Sequence, residues 1–153
     1  MENPHPTSTR SLERFFALTA AAVCLVISAR IWQVLSGQQP MWPLPGLYLL
    51  EILVASAIGM FGILRSDSEW SAPGGGLTWA AIGVLLAFAV MGAWSVGLLY
   101  SPVVVILVIT AVLSDRRRNQ NMLVHWGIGL IAALAQVALM LAVIRLLYPD
   151  AIF

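Results

Sequence analysis

Long apolar runs broken by short polar clusters organise the chain. The runs Phe15 to about Leu35, about Gly46 to Leu64, and Met122 to Leu147 are each long enough to cross a bilayer as one helix. A crossing takes about 20 mostly apolar residues over roughly 30 Å of hydrocarbon. The interruptions that bear on function are Arg30, Glu51, Gln136 and Arg145, all inside these runs.

The stretch from Leu77 to Leu113 needs a different reading. It holds 37 residues without a charge. As a single helix it would be about 55 Å long, nearly twice the hydrocarbon thickness, and tilt does not absorb such an excess. The chain is expected to reverse within Gly92–Pro102, where glycines permit the turn and Ser101-Pro102 provides a helix start. Trp94 and Tyr100 flank this turn, as rings at a membrane–water boundary do. The result is a hairpin of about 77–94 and 98–114, with the second helix starting a turn ahead of Pro102 so that it reaches across.

The prediction is therefore an all-α, polytopic helical membrane protein with five transmembrane helices, at about 15–35, 46–64, 77–94, 98–114 and 122–147. A flexible cytoplasmic tail of residues 1–14 precedes the transmembrane domain of 15–148, and 149–153 form a short external tail. Charge supports the count. With five spans and the N-terminus inside, Arg10, Arg14, Arg65, Arg116, Arg117 and Arg118 are all cytoplasmic, as the positive-inside rule requires. Four spans would turn Arg116–Arg118 outward. Arg116, Arg117 and Arg118 also become possible contacts for anionic lipid headgroups. Pro73-Gly74-Gly75-Gly76 is expected to be a flexible connector, since it lacks the Lys-Ser/Thr ending of a phosphate-binding loop. A cleaved leader is not expected at the first run, because apolar residues resume at Ile31-Trp32.

Composition narrows the function classes. Sixty per cent of residues are apolar and 10% charged, against roughly 25% charged in a soluble domain. A net charge of +1 and a basic cluster of three argue against nucleic acid as a partner. One Cys excludes a disulfide framework. Eight Arg and no Lys point to a bacterial inner-membrane protein from a GC-rich source.

Arg30 and Glu51 form the expected intramembrane polar pair. Each lies about six residues, or roughly 9 Å, from the same end of two antiparallel helices joined by a short proline-bearing loop. A charge at that depth needs a partner or must snorkel to the surface. Gln136 and Arg145 are secondary polar candidates. Gln136 is suited to bond across helices, and Arg145 is close enough to its helix end to snorkel. His125 reads as an interfacial histidine. No His, Cys, Asp or Glu cluster suggests a metal or haem, and no nucleophile–base pair shares a depth, so neither cofactor nor enzymatic activity is expected. Small residues at Ala89, Ala93 and Gly97, and at Ala55, Gly59 and Gly62, mark helix-packing faces. The expected function is that of a non-enzymatic structural or accessory membrane protein, a homo-oligomer or a subunit among other membrane subunits. The alternative is a small transporter or channel built on Arg30 and Glu51.

Overall fold

The computed structural model describes residues 6–37, 42–65, 72–92 and 96–147. Among these the chain is all-helical: α1 (Pro6–Ser36), α2 (Leu44–Leu64), α3 (Ala72–Met91), a 3-10 turn over Gly97–Tyr100, α4 (Ser101–Arg118) and α5 (Met122–Leu147). Among the described residues, four stretches are long and apolar enough to cross a membrane: Arg10–Ser36, Leu44–Leu64, Gly97–Arg118 and Met122–Leu147. The third helix contributes a shorter apolar stretch, Gly75–Met91.

The expected reversal is present. Gly92 N–H closes α3 on Phe88 O, and Gly97 N–H bonds Gly92 O at 2.7 Å. A methyl group at Gly97 would stand 2.5 Å from the Gly92 carbonyl carbon, so this crossing admits only glycine. The 3-10 turn runs directly into α4, whose second residue is Pro102, where a missing N–H costs nothing. Tyr100 is fully buried rather than at a boundary, its hydroxyl 3.0 Å from Ser28 Oγ on α1. Trp94 lies outside the described residues. At its far end α4 stops on Asn119 in the left-handed conformation (φ 52°), a residue type that tolerates it. Asn121 then accepts the N–H of Leu123 and opens α5.

Two expectations need correction. Helix α1 starts at Pro6, nine residues ahead of Phe15, so residues 6–14 are helical rather than a free tail. Proline is preorganised for a first helical turn, and Glu13 is anchored to α4. The glycine run is likewise no connector. Pro73 to Gly76 form the first turns of α3, and Gly75 packs against His125 and Gln120. Residues 1–5 and 148–153, which include most of the expected tails, lie outside the described residues.

The five helices alternate in direction. The starts of α1, α3 and α5 meet the ends of α2 and α4 at one end of the bundle, here the arginine end, as bonds from Glu13 to Arg117 and from Trp79 and His125 to Asp115 require. Helix α3 is central. It packs on α2 and α4 on one side and on α5 on the other, while α1 covers α2 and α4. Small residues permit the close contacts: a Cβ at Gly59 would lie 3.3 Å from that of Ala81, and a methyl at Gly83 would run into the Gly129 carbonyl. Outward faces carry large apolar side chains such as Leu25, Val90, Val105 and Leu134, the surface expected of helices in hydrocarbon.

Candidate functional site

Polar side chains gather in two places, one towards each end of the bundle. At the arginine end, Asp115 in the last turn of α4 is 2% exposed. Its Oδ2 accepts Trp79 Nε1–H from α3 at 2.8 Å and His125 Nδ1–H from α5 at 2.9 Å. One carboxylate oxygen thus joins three helices. Trp126 stacks obliquely on Trp79, with centroids 5.1 Å apart. Thr78, beside Trp79, donates to Gly59 O and ties in α2.

The Asp115 bond fixes the histidine's orientation, leaving Nε2 on the side of Gly75. A Cβ at Gly75 would sit 2.8 Å from His125 Cε1 and 2.9 Å from Gln120 Oε1. The Gln120 oxygen is buried without a hydrogen bond among the described residues. The space between Asp115, Ser114, Thr78 and Gly62 is only ≈ 10 Å³, at the lower limit for a single water. The two bonds to Asp115 tie α3, α4 and α5 together.

Glu13 and Arg117 lie at the same end. Arg117 Nε–H and Nη2–H reach the two carboxylate oxygens at 3.0 and 2.8 Å, in a bidentate pair with Glu13 almost fully buried. Of the arginines read as lipid-headgroup contacts, Arg117 is therefore directed to Glu13, Arg116 is exposed and Arg118 is half-buried.

Towards the other end, Gln136 Nε2–H donates to Glu51 Oε2 at 2.9 Å. Arg30 and Glu51 are not brought together. Arg30 is exposed and its Nη1–H donates to Gln33 one turn along the same helix at 3.2 Å. Arg30 faces outward from α1, whereas Glu51 turns to Gln136 of α5. Arg145 is also exposed. One turn nearer the helix ends than the Glu51–Gln136 bond lies a cavity of ≈ 440 Å³, walled mainly by apolar groups that include Leu35, Tyr48, Phe88, Met140 and Ile144.

Sequence reasoning missed the Trp79–Asp115–His125 cluster. The signal was present: Asp115 and His125 stand on either side of a three-residue turn, at one depth on consecutive helices. Among the described residues no three His, Cys, Asp or Glu side chains converge as a metal site. The chain matches no protein-family model, no curated protein and no solved structure.

Proposed function

We propose that this chain is a non-enzymatic integral membrane protein with a structural or accessory role in a larger membrane assembly. The observation that carries this reading is where the interior polar groups go. Glu13, Asp115, His125, Glu51 and Gln136 all bond from one helix to another, which is what architecture uses them for. Helix α5 adds to it. Only His125, Gly129, Gln136 and Met140 are buried along its length, so most of its surface, with Ala135, Ala138 and Ala142 outward, is open to lipid or to another protein.

In this reading all five helices cross the inner membrane of a bacterium, with the arginine end cytoplasmic and the C-terminus outside. The 20 residues of α3 amount to about 30 Å of helix, and the arginine distribution supports the orientation.

The test is purification from the native membrane in mild detergent, with mass measured by light scattering and neighbours fixed by cross-linking. The expected result is a complex of fixed stoichiometry that is lost in Ala138→Trp. A wild-type chain that runs only as its own 16.5 kDa monomer sinks the reading. The transport alternative now draws on Glu51 and Gln136 without Arg30. Flux in proteoliposomes that disappears in Glu51→Gln, with stability unchanged, would favour it.

A further inference from the structure

The end of the bundle opposite the arginine cluster combines an apolar hollow with two exposed arginines, Arg30 and Arg145. The 440 Å³ cavity reaches from α1 and α2 across to Met140 and Ile144 of α5. The backbones of α2 and α5 do not pack on one another. Its size falls within the range of small-ligand sites, roughly 300–1,000 Å³. Ile31, Leu35 and Val96 form a wall shared with a second apolar hollow of ≈ 230 Å³, whose lining also includes Arg30. The two hollows thus adjoin, and the Arg30 side chain borders the second of them.

Arg30 lies six residues inside the end of α1, and Arg145 two residues inside the end of α5 next to the cavity residue Ile144. Among the described residues no carboxylate pairs with either; the bond from Arg30 goes to the neutral amide of Gln33. A guanidinium on an apolar helix is costly without an anion, and it has donors suited to two phosphate oxygens at once.

We propose that this end of the bundle holds one anionic phospholipid, with an acyl chain in the apolar cavity and its phosphate on Arg30. A soluble anion satisfies the guanidinium but leaves the hollow unused; a neutral hydrocarbon does the reverse. An anionic lipid matches both.

The experiment uses the full chain, stripped of lipid in detergent, with native mass spectrometry and thermal melting as readouts. The probes are dioleoyl phosphatidylglycerol, dioleoyl phosphatidylcholine and inorganic phosphate. One phosphatidylglycerol per chain is expected, bound at least about tenfold more tightly than phosphatidylcholine, the scale of a charge-assisted hydrogen bond. Arg30→Gln should remove that preference and Arg30→Lys retain part of it. Ile144→Trp, which fills the cavity, should weaken both lipids; if it fails to fold, Leu35→Phe fills the same hollow. Equal binding of the two lipids, phosphatidylglycerol binding unaltered by Arg30→Gln, or inorganic phosphate stabilising as well as the lipid would each overturn the proposal.

Discussion

Gln136 reaches Glu51 across two helices whose backbones do not pack on one another: α2 and α5 each rest on α3, and the 2.9 Å amide–carboxylate bond spans the gap between them. Gln136→Leu would leave that carboxylate without its donor. A destabilisation of about 1–3 kcal/mol is expected, the scale for stranding a buried acceptor. Combining it with Glu51→Leu should be milder than the sum, because no unpaired charge then remains. A double-mutant cycle on melting in detergent checks this, and additive losses would mean that the two side chains do not interact. Arg30→Leu should not couple to Glu51 in the same assay.

This pair shows what the sequence could and could not reveal. Helix positions followed from apolar length and from the limit that hydrocarbon thickness sets, which is why α2, α5 and the Gly92–Gly97 reversal were legible. Facing was not. Counting residues predicts a common depth for Glu51 and Arg30, yet Glu51 turns to α5 and Arg30 turns outward, a matter of how the helices rotate around α3. Where a turn of only three residues holds two helices in register, as between Asp115 and His125, depth alone would have sufficed. The long-range contact of Glu13 with Arg117, 104 residues apart, has no local signature.

The Asp115 carboxylate should matter more than either of its donors. Trp79→Phe removes one N–H and keeps most of the ring, so a loss of about 1–2 kcal/mol is expected. Asp115→Leu strands both Trp79 Nε1–H and His125 Nδ1–H and should cost more than Trp79→Phe or His125→Phe alone. Melting temperature measures the order. A smaller loss for Asp115→Leu than for Trp79→Phe would contradict it. His125→Phe also tests the contact with Gly75, because the larger ring has to occupy the same space.

Gly83 sets the distance between α3 and α5. A side chain there would collide with the backbone of Gly129, and overpacking against backbone typically costs about 1–3 kcal/mol or more. Since α5 rests almost wholly on α3, Gly83→Val should loosen α5 selectively. Hydrogen exchange should rise along 122–147 while the contact of α1 with α2 stays protected. Uniform loss of protection across all helices would argue against so local an attachment.

Reporter fusions at Asn119 and after Phe153 test the orientation. The Arg116–Arg118 cluster should hold residue 119 in the cytoplasm and leave the C-terminus outside, with α5 crossing between them. An outward residue 119, or both reporters on one side, would remove the five-span arrangement.

Glu13 and Arg117 make the most distant of these connections, and charge reversal separates pairing from mere burial. Glu13 is 3% exposed while Arg117 retains partial access to solvent. Removing only the guanidinium leaves a buried carboxylate without its bidentate partner. Arg117→Leu is therefore expected to cost about 3–5 kcal/mol, and Glu13→Leu less, because the arginine left behind can turn towards water. Exchanging the two, Glu13→Arg with Arg117→Glu, should recover part of the loss. Recovery will be incomplete, because the longer arginine has to fit where the carboxylate now packs. The pair joins α1 to α4 at the arginine end, while Ser28 and Tyr100 join α1 to the 3-10 turn that leads into α4 towards the other. Arg117→Leu should therefore expose the start of α1 to protease before the region around Ser28. Cleavage at both places at equal rates, or a reversed pair no better than either single variant, would show that the ion pair does not hold α1 in place.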